Sequence, residues 1–299
     1  MSLFPVCALR SAIAAATLFA FCLVVKSQPD QANQPPPPAP QLRKIADGTY
    51  AIENTNANMA ELIYWGGNAT AYVTDAGVIL VDSKFARAHD DIVAKVKSLT
   101  AKPIKYVILT HNHGDHAAGA EQLEKDGAAV IISADDRDNM IRTPNQAWVP
   151  AIGYVGQMKL LLGGKEVDLI QMRGHTRGDT VVYFPASRVV CTGDLATTAE
   201  SIPSIVNYAD GGSWSDWQKS IDQILELDFD YAIPGHGPAV TKPELTAYRN
   251  RKVAMLERFR ALNRDHKSQE EITQTLVKEF NWGAGPSAGN IPGMMQELR

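Results

Sequence analysis

Residues 71–82 carry two short apolar runs separated by Asp75-Ala76-Gly77, a pattern that predicts two strands around a tight turn, the second ending Val78-Ile79-Leu80-Val81-Asp82. Over residues 88–99 the period changes. Ile92, Val93, Val96 and Leu99 recur at helical spacing and mark an amphipathic helix with one buried face. Residues 104–110 read as an apolar buried strand that runs straight into His111-Asn112-His113-Gly114-Asp115-His116. Further strands are predicted at 128–133, 167–172, 180–184, 189–192 and 231–233, each followed by a polar or glycine-rich junction. Residues 243–263 are rich in helix formers, and Ser268 with Glu271 forms a capping box that opens a helix running to about Phe280. The Gly-, Pro- and Ser-rich stretch 283–293 predicts loop. With strands and helices alternating, no internal repeat, and helices at the end, the fold class is α/β with a C-terminal helical extension over residues 241–299.

The N-terminal segment has a different character. Residues 11–25 are almost wholly apolar, between Arg10 and Lys26, and are short for a membrane span, which needs about 20 residues. Residues 1–27 therefore read as a secretory signal peptide, which implies a periplasmic or secreted protein without stable membrane insertion after cleavage; a retained N-terminal anchor is the competing reading. Phe21 is too bulky to precede a lipidated Cys22. Residues 28–41, with Pro35 to Pro38 consecutive, read as a stiff, solvated proline-rich linker leading to a domain at 42–240.

Composition narrows the function classes. At 299 residues, 45% hydrophobic and 21% charged, the chain is expected to build a large core. A net charge of −4, moving to −6 once Arg10 and Lys26 are removed, offers no basic field and argues against nucleic acid as a partner. Cys7 and Cys22 would leave with the signal segment. Cys191 then stands alone, so no internal disulfide forms, and its apolar strand context predicts a buried residue.

The chemistry gathers at strand ends. Five of the seven histidines, His111, His113, His116, His175 and His236, sit on glycine-rich junctions just after predicted strands. In an extended segment side chains two apart point the same way, so His111 and His113 can face one metal ion, while Asp115 and His116, at the turn into the next helix, face a second position. Gly114 permits that turn. Neutral imidazoles and carboxylates are suitable ligands for such ions.

The motif HNHGDH, followed in order by Gly174-His175-Thr176, Gly193-Asp194 and Gly235-His236-Gly237, resembles the metallo-β-lactamase superfamily from about residue 50 to 237. The resemblance implies a four-layer αββα sandwich with a dinuclear site, two Zn2+ per chain, at the edge between the sheets. It implies that His111, His113 and His175 bind one ion and Asp115, His116 and His236 the other, with Asp194 bridging. It also implies hydrolysis by a metal-bound hydroxide, with Asp115 both a ligand and the catalytic proton acceptor. Asp82 matches an early Asp of the family, a supporting residue; a strand-end or helix-capping carboxylate is an equal alternative. Ser83 shows no sign of activation as a nucleophile.

Asp at position 194, where some true β-lactamases carry Cys, favours the pattern of glyoxalase-II-like thioesterases, lactonases and phosphodiesterase relatives. Export lowers the glutathione thioester assignment and keeps β-lactamase activity as a minority reading. The substrate is a small molecule: an ester, lactone, thioester, amide or phosphoester. Two other classes stand beside this hydrolase: a persulfide-dioxygenase-like enzyme with one Fe, and a scaffold protein, weakest because no ligand is missing. Specificity is expected in residues 54–67, with Met59, Leu62, Ile63, Tyr64 and Trp65, and in 201–217, where Trp214 and Trp217 read as core. Lys84, Arg173 and Arg177 read as surface charges. The C-terminal helices are expected to pack on the sandwich or to contribute to a homodimer.

Overall fold

The first sheet of the computed structural model, which describes residues 35–299, contains β1 (Gln41–Ala46), β2 (Thr49–Glu53), β3 (Ala69–Val73), β4 (Val78–Val81), β5 (Ile104–Ile108), β6 (Ala129–Ser133) and β7 (Ile152–Tyr154), lying side by side in chain order. Between them come α1 (Met59–Trp65), α2 (His89–Leu99), α3 (Gly114–Ala117), α4 (Ala120–Lys125) and α5 (Ala134–Arg142). The second sheet holds β8 (Gln157–Leu162), β9 (Lys165–Gln171), β10 (Thr180–Phe184), β11 (Val189–Thr197), β12 (Tyr231–His236) and β13 (Val240–Thr241), again in chain order. Helices α6 (Trp214–Glu226), α7 (Lys242–Arg264), α8 (Gln269–Phe280) and α9 (Ile291–Glu297) complete it. The expected signal peptide and residues 28–34 of the linker lie outside the described residues. Residues 35–40 have no regular structure, and Gln41, the last residue of the expected linker, already belongs to β1.

Strand alternation sorts the core into layers. In β4, Val78 and Leu80 face a cluster with Ile92 and Val96 of α2 and Leu123 of α4, whereas Ile79 and Val81 face Leu169, Val182, Phe184 and Ile233 of the second sheet. In β10 and β11, Val181 and Val190 turn the other way, onto Trp217, Ile221, Leu256, Phe259, Ile272 and Met294. Helices, sheet, sheet, helices is the four-layer αββα order, and the C-terminal helices share the outer core of the second sheet. Among the described residues, no helix is long and apolar enough to cross a membrane.

Several elements differ from the pattern-based expectation. The stretch 54–67 contains α1, whose N-cap Asn58 accepts from the Glu61 amide at 3.0 Å. The stretch 283–293, expected as loop, holds a short 3-10 segment and the start of α9. Pro292 and Gly293 disguise a helix whose Ile291 and Met294 are fully buried. Two half-exposed strands, β7 and β8, carry too little apolar periodicity to be seen. Cys191 is buried as expected, between the sheets, and burial pushes its thiol up to about 12, which keeps it protonated and inert.

Candidate metal centre

The ends of β5, β9 and β12 and the interior of β11 meet at one edge of the sandwich. His111 to His116 follow β5, His175 lies in the β9–β10 turn, Asp194 lies within β11, and His236 ends β12. Donor atoms of His111, His113 and His175 lie within 4.8 Å of one another, as do those of Asp115, His116 and His236, and those of His111, His116 and Asp194. The structure thus brings together all seven residues singled out in the sequence. Close approach at the rim needs glycine: a Cβ at Gly235 would meet the Asp194 carboxylate, and one at Gly67 the His116 ring.

The ring nitrogens show which face is free. His116 Nδ1 donates to Asp82 Oδ2 at 2.8 Å, and His175 Nδ1 to the Ile205 carbonyl at 2.7 Å. His111 Nδ1 donates to Thr110 Oγ1 at 3.0 Å, whose hydroxyl in turn donates to Asp82 Oδ2 at 2.8 Å. His113 is reversed: Nε2 donates to Asp210 Oδ2 at 3.0 Å, leaving Nδ1 2.9 Å from His175 Nε2. The remaining nitrogens converge, and His111 Nε2 and Asp194 Oδ1 are buried without any hydrogen-bond partner. Orphaned buried donors of a metal-ligand type, beside four imidazoles whose other nitrogen is anchored, fit divalent ions; His236 is the exception, its Nδ1 being buried without a partner.

The electrostatics agree. Burial, with His116 and His113 nearby, holds His111 well below its usual range, and burial pushes His175 down to about 4, so both are neutral. Burial alone would raise Asp115 and Asp194, but neighbouring imidazoles outweigh it and hold both well below the carboxylate range. Burial would likewise lower His116 and His236, yet the carboxylates raise His116 well above normal and His236 to about 9. A basin that draws protons onto buried imidazoles is one that a cation would occupy in their place.

A model of the metallo-beta-lactamase superfamily matches residues 63–236. The chain belongs to that superfamily. A metallo-beta-lactamase type 2 from Bacillus cereus is 27% identical over 206 residues, covering 65% of this chain and 79% of that protein. The alpha subunit of a 2,4-dinitroanisole O-demethylase from Nocardioides is 25% identical over 178 residues, covering 58% and 53%. A solved metallo-beta-lactamase from Pontibacter korlensis superposes with a TM-score of 0.62 at 19% identity, over 71% of this chain and 97% of the other, and shows the shared fold. As a member of the superfamily the chain is a metal-dependent hydrolase.

Behind the His175 turn, this superfamily member buries two carboxyl groups. Thr176 Oγ1 lies 2.8 Å from Asp136 Oδ2 and 2.7 Å from Asp179 Oδ1. One hydroxyl proton cannot serve both, so one carboxyl carries a proton and donates. Burial raises both, Asp136 to about 7. An acid raised in the folded state stabilises below its unfolded value near 3.8 and loses that stabilisation as pH rises to about 7. Asp136→Asn is therefore expected to gain stability relative to the wild type, on the order of 2 kcal/mol, between pH 5 and 8 in urea unfolding. A difference independent of pH would refute the shared proton.

A cavity of about 510 Å3 opens over the ligands, reached by Met59 and Leu62 of α1, by residues 202–209, and by Pro286, Gly289 and Asn290. The C-terminal segment shapes it. Asn290 Oδ1 accepts from the Val206 amide at 2.9 Å and its Nδ2 donates to the Val206 carbonyl at 3.1 Å. Glu297 accepts from Tyr208 Oη, Ser213 Oγ and the amides of Trp214 and Ser215, at 2.7 to 3.2 Å. Trp214 and Trp217 are core, as expected. Lys84 is not the expected surface charge: it is fully buried, donates to Asn54 Oδ1 at 3.1 Å and to the Gly67 carbonyl, and burial lowers it to about 7. Asn207, Asp210 and Glu297, which the sequence reading missed, carry no local motif.

Proposed function

We propose that this chain is an exported dinuclear zinc hydrolase that cleaves a small ester, lactone, thioester, amide or phosphoester in the periplasm or outside the cell. The observation that supports it is the overlap of the three donor groups, with His111 and His116 each belonging to two of them. His111, His113 and His175 would hold one ion and Asp115, His116 and His236 the other, with Asp194 between. When bound, two such ions supply Lewis acidity and an ionised water near neutral pH.

The chain's own residues supply the rest. Asp115 Oδ2 lies 3.4 Å from His116 Nε2 and 3.3 Å from His236 Nε2 and lines the cavity, placed to orient a water molecule and take its proton. Ser83 is no nucleophile, since its Oγ donates to the His116 carbonyl at 2.8 Å. Export is supported by the apolar stretch 11–25 behind Arg10. β-Lactam hydrolysis is a second reading, favoured by the similarity to the Bacillus cereus enzyme.

Elemental analysis of protein purified without added metal tests the proposal. About two zinc ions per chain is the expected result. About one iron per chain would overturn it in favour of sulfur oxidation, followed by oxygen uptake.

A further inference from the structure

We propose that the cavity over the metal residues selects an uncharged ester or lactone bearing an apolar chain or ring, and discriminates against anionic substrates; this rests on the hydrolase reading above. Its floor is His113, Asp115, His175, Asp194 and His236. Its walls are Met59 and Leu62 of α1 on one side and Ile202, Pro203, Ile205 and Val206 on the other.

The polar side chains that reach those walls are already engaged. Tyr208 Oη donates to Glu297 at 2.8 Å. Asn207 Nδ2 donates to Asp210 Oδ2 at 2.8 Å, while its Oδ1 accepts from the amides of Ala209 and Asp210. Asn290 spends both ends of its amide on Val206, and its Oδ1 also accepts from Trp214 Nε1 at 3.2 Å. Asn207 Nδ2 also lies 2.8 Å from His113 Nε2, and among the described residues lining the walls the mostly buried Thr197 hydroxyl is the side-chain group with no hydrogen bond.

Anion recognition needs a lysine, an arginine fork or a cluster of free amides. No lysine or arginine lines the cavity among the described residues. Lys84 is buried with its ammonium on Asn54 and Gly67. Arg173 pairs with Asp216 at 3.2 Å and Arg177 with Asp138 at 3.6 Å. Arg251 and Lys252 line a separate cleft, with Ile202 and Pro203 standing between the two. A carboxylate or phosphate in the main cavity would lose its hydration with only the metal residues to replace it. An alkyl chain gains from burial against the walls.

The test compares kcat/KM of the purified metal-loaded protein for p-nitrophenyl esters from acetate to octanoate, and for alkyl δ-lactones, with benzylpenicillin and bis(p-nitrophenyl) phosphate. The expected result is a rise of about threefold per added methylene, with both anions about 100-fold below the best neutral substrate. Calorimetry supplies a readout without chemistry: octanamide should bind at least about tenfold tighter than acetamide, and Leu62→Lys should erase that difference. A flat ester series, or either anion turned over as well as the octanoate ester, overturns the proposal. Octanamide binding without turnover of any probe overturns the hydrolase reading and leaves the cavity assignment standing. Turnover without an octanamide preference overturns the cavity assignment alone.

Discussion

Asp115→Ala is expected to lower kcat/KM for any substrate that the enzyme turns over by about 10²- to 10⁴-fold, and to release metal from the group it shares with His116 and His236. The fold should survive. Among the described residues the ion-pair partners of the Asp115 side chain are those imidazoles, and the contact that joins it to the neighbouring loop, Gly67 N to Asp115 O at 2.9 Å, runs through the backbone. Asp115→Asn keeps the shape without the charge; retained metal with lost turnover would assign the defect to proton transfer. Elemental analysis beside kinetics reads both, and unchanged turnover in both variants would refute the site.

Asp82→Ala should act on stability instead. This carboxylate accepts from Thr110 N at 2.7 Å, Thr110 Oγ1 at 2.8 Å and His116 Nδ1 at 2.8 Å, and through Thr110 it also orients His111. It therefore fixes one imidazole in each of the two outer donor groups, which decides between the readings that the sequence left equal. Its removal strands three buried donors and places Ala at a φ of 59°, a left-handed conformation that Asp and Asn tolerate better. A loss of about 3–5 kcal/mol is expected in urea unfolding. Asp82→Asn should fold, with metal affinity about 10- to 100-fold weaker. Wild-type stability of Asp82→Ala would show that the network carries no weight.

The seven clustered His and Asp residues were legible because each sits in a local signal: an apolar run leading into a short junction that carries a glycine and the ligand. What holds them was less legible. Asp210 reaches His113 across 97 positions and Asn290 reaches Val206 across 84, separations at which a single sequence carries no pattern. Lys84 read as a surface charge because lysine usually is one; a φ of 56° turns it inward to two oxygen acceptors that only the folded chain supplies. For α9, tertiary burial of Ile291, Met294 and Leu298 overrides the poor helix propensity of Pro292 and Gly293.

The bonds from Asn290 and Glu297 have a dynamic corollary. A cavity wall hung on α9 opens with α9, so residues 202–215 and 286–298 should exchange their amide hydrogens as one cooperative unit. A molecule seated against Ile202 and Val206 would then slow exchange at Met294, nearly ninety positions along the chain, without touching it.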